Sequence, residues 1–126
     1  LHTSFLPYNK GASPNFFSFY EDTPKGVSIH CMTAGLDKGD VLLQKELFFD
    51  ETKETFASTY QTLMREMEEL FFAHKDELLG GRIIPVKQEG EGTYHKASML
   101  EEIRNKTPFS YDEIIADVKE RLRVNR

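Results

Sequence analysis

The chain has 126 residues, 21 acidic against 16 basic, and a net charge of −5. A chain of this length suits one domain or a piece of one and buries roughly two thirds of the surface its unfolded form exposes. Its negative field repels a nucleic-acid backbone, and it has no apolar run of bilayer-spanning length and no signal-like terminus.

The single Cys31 cannot form an intramolecular disulfide and is compatible with a reducing compartment, so a soluble cytoplasmic protein without nucleic-acid or membrane partners is expected. The chain opens on Leu1 and His2 as though a strand had been cut, and it reads as a fragment.

Residues 6–14 carry two prolines and a glycine and read as a loop. It closes on a helix from Asn15 to Glu21, with Ser13 as N-cap and Pro14 at the first helical position. Phe16, Phe17, Phe19 and Tyr20 are too closely spaced to define one face, so this helix is expected to be buried on more than one side. Asp22 to Gly26 is a turn. Val27, Ile29 and Cys31 then alternate with Ser28, His30 and Met32, the period of a strand running to Thr33. A loop from Ala34 to Gly39 holds Asp37, and Val41 to Phe49 forms a second strand antiparallel to the first.

From Thr52 the period changes. Phe56, Tyr60, Leu63, Met67, Leu70, Phe71 and Leu78 recur at three and four residues, which predicts a long amphipathic helix ending near Leu79, before Gly80 and Gly81. That stripe is core packing rather than a cofactor site. Arg82 to Gln88 is extended and carries Pro85, and Glu89 to Gly92 is a turn. A short helix follows from Ser98 to Lys106. Ser110 and Glu113 form a capping box before a last helix with Ile114, Ile115, Val118 and Leu122 inward. Its basic residues, Lys119, Arg121, Arg123 and Arg126, complement the negative helix end.

The reactive residues stand where apolar runs give way to loops marked by Pro or Gly, and His2 and Asp37 are the pair so placed. A histidine beside a carboxylate moves protons near neutral pH, and its cation stabilises an oxyanion on a carbonyl. That combination suits acyl transfer to an amine by direct attack. No serine sits in a nucleophile elbow, and Cys31 is placed as a strand residue rather than an exposed thiolate. His2, His30, Asp37 and His95 supply ligand types for zinc, but no HExxH or paired CxxC spacing gathers them, and no metal is expected.

Four segments carry a more specific signal: His2-Thr-Ser-Phe-Leu-Pro7, Lys10-Gly-Ala-Ser-Pro14, Gly26-Val-Ser-Ile-His30 and Leu36-Asp-Lys-Gly-Asp-Val-Leu-Leu-Gln44. In order and spacing they resemble consecutive motifs of the formyltransferases that use 10-formyltetrahydrofolate, closely over residues 1–50 and more loosely along the long helix. The resemblance implies an α/β fold. Residues 1–82 would be the carboxy-terminal part of a Rossmann-like catalytic domain, and residues 83–126 an extended segment and short helical tail.

It also implies roles. The family's catalytic asparagine, histidine and aspartate would be a residue preceding Leu1, then His2 and Asp37. Gly35, Leu36 and Asp37 would contact the folate cosubstrate, and Ser4, Lys10, Gly11 and Tyr94 the amine substrate, with Ser28 and His30 supporting. Ser28 and His30 have cross-strand hydrogen bonding as their alternative reading. Without the asparagine and most of the folate pocket, the isolated chain is expected to be inactive.

The tail resembles the branch acting on amino-sugar nucleotides, because no second barrel-like domain follows as in methionyl-tRNA enzymes. Tyr94, Phe109 or Tyr111 would then stack on a base, or simply pack. Methionyl-tRNA or glycinamide ribonucleotide formylation, or a noncatalytic interaction module, are the alternatives. An exposed strand edge gives a homodimer as the oligomeric expectation.

Overall fold

Three phenylalanines of α1 (Pro14–Tyr20), Phe16, Phe17 and Phe19, are all buried although they cannot share one helical face. The helix is enclosed on several sides, as its spacing predicts. The computed structural model describes residues 1–32 and 37–125. Pro14 occupies the helix start, but Ser13 adopts a left-handed conformation and its hydroxyl makes no capping bond. The chain enters α1 through a backbone turn, and the expected side-chain cap is not used. Asn15 ties α1 to the next helix by donating to the Phe56 carbonyl and accepting from the Thr59 hydroxyl.

β2 (Lys25–His30) and β3 (Val41–Leu47) form the antiparallel pair read from their alternation, with an irregularity between Ile29 and His30. The first strand begins two residues earlier than expected and ends at His30 rather than Thr33, and the second ends at Leu47 rather than Phe49. Val27 packs with Leu63 and Met67 of α2 (Phe56–Leu79) into a core beneath this pair.

Thr55 caps α2: its side chain accepts from the Ser58 amide while the Ser58 hydroxyl accepts from the Thr55 amide. Thr52 instead donates its hydroxyl to Asp50 in the preceding turn. Of the apolar stripe, Phe56, Leu63 and Met67 are buried and Leu70 packs against the core of the last two, but Tyr60, expected in the core, is half exposed. Phe72 and Leu79 face outward. Among the described residues no helix is long and apolar enough to cross a membrane.

Past α2 the extended segment returns to the pair, where Val86 bridges Val41. Two two-residue strands that the sequence did not announce, β1 (Lys10–Gly11) and β4 (Tyr94–His95), then pair in parallel. α3 (Ala97–Lys106) follows nearly as predicted. Only half of the expected capping box forms, within an exposed turn: Glu113 accepts from the Ser110 amide, but the Ser110 hydroxyl accepts from the Asp112 amide, and the Glu113 amide donates to the Ser110 backbone carbonyl. The last helix, α4 (Ile115–Val124), starts only at Ile115, which corrects the expected helix start.

Leu100, Phe109, Ile115, Val118 and Leu122 of residues 83–126 share one core with Phe16, Phe17, Phe19 and Phe56. Burying each such side chain contributes roughly 1.5–3 kcal/mol, so this packing fixes the tail against α1 and α2. The basic residues of α4 are ion-paired: Lys119 with Asp22 and Glu51, Arg121 with Glu113, and Arg123 with Glu120.

Candidate active site

His2 lies alongside β2, exchanging backbone hydrogen bonds with Ser28 at 2.9 Å in both directions. Its ring Nε2 donates to the Asn9 carbonyl at 2.8 Å. Asn9 is fully buried in a left-handed conformation, its amide bonded to Thr93 Oγ1 and its side chain to Thr23 Oγ1. Asp37, also left-handed, accepts from the Gly11 amide at Oδ2. Its carbonyl and that of Gly39 both accept from Gln88 Nε2, at 2.9 and 2.8 Å. His30 Nδ1 donates to the Cys31 carbonyl at 2.9 Å.

These supports bring three side chains together. His2 Nδ1 is 3.6 Å and His30 Nε2 3.4 Å from the same oxygen, Asp37 Oδ1, and the three side chains are only 10–13% exposed. Carbonyl oxygens can only accept, so His2 carries a hydrogen on Nε2 and His30 one on Nδ1. In their neutral forms both rings therefore turn a lone pair toward Asp37.

Burial is the largest influence on His2 and holds its pKa below the ordinary histidine value, against the opposing pull of the Asn9 carbonyl and Asp37. Each ring thus turns its second nitrogen toward the same carboxylate oxygen.

The other expected residues are distributed around this cluster. Ser28 donates to the Ser4 carbonyl at 2.7 Å and accepts from the Leu6 amide and Gln44, so it organises the loop after His2. Ser4 Oγ is buried and has no hydrogen-bond partner among the described residues. Lys10 Nζ donates to the Glu91 carbonyl, while the Gly11 amide is engaged by Asp37. Tyr94 is half exposed and lies so close to Gly11 that a Cβ there would come within 2.9 Å of its ring.

Gly35 and Leu36 fall outside the described residues. His95 stands apart, stacked 3.8 Å from Phe17 and bonded to Glu21. Asn9 and Gln88 went unremarked in the sequence. Asn9 carried a usable signal, since asparagine in a Pro/Gly-marked loop tolerates the left-handed region.

A groove of about 430 Å³ opens beside Thr3, the neighbour of His2 in the chain, and is lined by Ser13, Asn15, Tyr60, Gln61 and Tyr111 among others. Its size and mixed apolar and polar lining suit an organic ligand.

The fold is a mixed α/β arrangement, and comparison with known proteins specifies the family. The formyl transferase family model matches residues 1–74. Methionyl-tRNA formyltransferase of Clostridium botulinum is 38% identical over 97 residues, covering 76% of this chain and 31% of that protein. The dTDP-4-amino-4,6-dideoxyglucose formyltransferase of Mycobacterium bovis is 31% identical over 104 residues, covering 82% and 44%.

Among solved structures, the formyltransferase PseJ from Anoxybacillus kamchatkensis, crystallised with UDP-4,6-dideoxy-4-formamido-L-AltNAc and tetrahydrofolate, superposes with a TM-score of 0.86 at 37% identity. That match covers 93% of this chain and 61% of PseJ. The chain belongs to the formyl transferase family. It spans between about a third and under a half of the length of these two curated relatives.

Proposed function

We propose that the protein transfers a formyl group from 10-formyltetrahydrofolate to the amine of an amino-sugar nucleotide, with His2 and Asp37 at the reacting centre and His30 behind Asp37. The observation that carries this reading is the convergence of His2 and His30 on one oxygen of Asp37, each ring anchored at its far nitrogen by a backbone carbonyl. The folate would supply an activated formyl carbon; attack of the amine nitrogen on it would push the carbonyl electrons onto oxygen as an oxyanion, and their return would break the carbon bond to the folate nitrogen.

Transfer releases one proton from the attacking amine and requires one on the folate nitrogen. Asp37 and the two imidazoles are arranged to hold that proton between the two events. Protonated His2 also supports the oxyanion on the formyl carbon.

The groove beside Thr3 supports a binding place for the amine substrate, the formyl acceptor, with Tyr60, Gln61 and Tyr111 as its contacts. Gly35 and Leu36 join Asp37 on the folate side, and Ser4, Lys10, Gly11 and Tyr94 border the amine side. The amino-sugar assignment is supported by the PseJ likeness, which extends over 93% of the chain and so includes most of the tail. The free Cys31 is compatible with a cytoplasmic location. A second reading, formylation of methionyl-tRNA, is favoured by the 38% identity to the Clostridium botulinum enzyme and opposed by the net charge of −5.

Formyl transfer from 10-formyltetrahydrofolate to amino-sugar nucleotides and to methionyl-tRNA, measured with the full-length protein and its His2→Ala and Asp37→Ala forms, decides between the two. Turnover of an amino-sugar nucleotide abolished by both substitutions is the expected result. Turnover of methionyl-tRNA alone would install the second reading, and no turnover with no folate binding would remove both.

A further inference from the structure

A single segment after α2 reaches the supports of both reactive residues. Val86 pairs with Val41 at the edge of β3, Gln88 bonds the Asp37 loop, and the Glu91 carbonyl accepts from Lys10. Thr93 Oγ1 then holds the amide of Asn9, whose carbonyl orients His2. We infer that Gln88 is a positioning residue for Asp37, fixing from outside the loop where the carboxylate stands between the two histidines; the inference rests on the formyl-transfer reading given above.

The amide orientation of Gln88 is dictated by its partners. The carbonyls of Asp37 and Gly39 only accept, so the nitrogen with its two hydrogens must face them, and the reverse orientation would set oxygen against oxygen. Both donors of Nε2 are thereby used within one turn of chain. That turn needs an external hold, because Asp37 has φ 56°, a region where a non-glycine residue is strained. On its other side the turn is pressed against the strand end: the Cys31 amide donates to the Asp40 carbonyl, and a Cβ on Gly39 would lie 1.7 Å from the Cys31 oxygen.

Gln88 Oε1 is buried and has no hydrogen-bond partner among the described residues. An apolar side chain of similar size would remove that unpaired acceptor, so packing alone gives no reason for an amide here. What the amide provides is two donors aimed at the loop that carries Asp37. Separations of 3.4 and 3.6 Å to two nitrogens leave little room for drift before one contact is lost.

The test uses Gln88→Leu and Gln88→Met in the full-length protein, both neutral and of similar volume, the second retaining an unbranched shape. Thermal melts first establish that each is folded. Formyl transfer is then expected to fall about tenfold or more in kcat, with KM for the amine within about twofold, as misplacement of a reacting group predicts. The His2 imidazole, followed by nitrogen NMR, is expected to titrate at lower pH than in the wild type, because the nearby Asp37 charge is no longer held beside it.

A folded variant with kcat within twofold of wild type and an unmoved His2 titration would overturn the inference. If the wild-type protein transfers no formyl group, the reading of function fails, and the His2 titration still decides whether Gln88 holds Asp37.

Discussion

His30 Nε2 lies 3.4 Å from Asp37 Oδ1 while Nδ1 of the same ring is bound to the Cys31 carbonyl, so the ring can turn only its free nitrogen to the carboxylate. In the proposed formyl transfer His30 shares the proton that Asp37 accepts. Removing a group that moves a proton directly costs about 10²–10⁴ in rate, the range expected for His2→Ala and Asp37→Ala. His30→Ala is expected to lower kcat by a smaller factor, about tenfold, and to alter the pH profile. Wild-type kcat with an unchanged profile would reduce His30 to a cross-strand role.

His2 also makes stability depend on pH. Burial holds its folded pKa below the unfolded value of about 6.5, so the folded protein binds fewer protons in that window. Its contribution is complete above about pH 6.5 and is lost as pH falls through the lower, folded value. Melting temperatures measured from pH 8 to 5 should decline less steeply for His2→Asn than for wild type. Parallel declines would mean that His2 has the same pKa in the folded and unfolded states.

The parts of this molecule that were legible in the sequence share a physical character. Periodicity revealed the β2–β3 pair and α2, because burial of one face writes itself into every second or every third and fourth residue. His2 and Asp37 stood out because both lie at loop borders, and the structure brings them within 3.6 Å. The supports were illegible for the opposite reason. Gln88 reaches Asp37 across 51 residues, Thr93 reaches Asn9 across 84, and the Gly11 contact to Asp37 is made by an amide. Single contacts to backbone atoms leave no repeating pattern. The Ser110 and Glu113 motif misled in another way: only the Glu113 side-chain bond to the Ser110 amide forms, the Ser110 hydroxyl turns to Asp112, and both lie in a turn rather than at the start of α4.

Two glycines two residues apart separate conformational strain from crowding. Gly90 and Gly92 both have positive φ, but a Cβ on Gly90 meets nothing within 4 Å, while one on Gly92 would lie 1.9 Å from the Pro7 carbonyl oxygen. Gly90→Ala should cost only the left-handed penalty, about 1–2 kcal/mol. Gly92→Ala should cost about 3 kcal/mol or more in urea unfolding, since Pro7 or the neighbouring Thr93 must move. It should also slow formyl transfer through the Thr93–Asn9–His2 connection. Equal losses for the two substitutions would show that the contact with Pro7 relaxes freely.

Phe109 and Tyr111, both candidates for stacking on a nucleotide base, occupy different environments. Phe109 is 6% exposed and stacks on Phe16 at 5.4 Å between ring centres, whereas Tyr111 is 41% exposed and lines the groove beside Tyr60 and Gln61. A ring already stacked inside the core has no face left for a ligand, so Phe109→Ala should destabilise by about 3–5 kcal/mol and leave KM for the amine substrate nearly unchanged in the folded fraction. Tyr111→Ala keeps the backbone carbonyl that accepts from Ala57 and should cost about 1 kcal/mol of stability at most. Its effect should appear instead as a KM raised about tenfold, the loss of roughly 1.4 kcal/mol of binding. An unchanged KM for Tyr111→Ala would place the amine substrate outside this groove, and base stacking would then rest on Tyr94, whose half-exposed ring lies against Gly11.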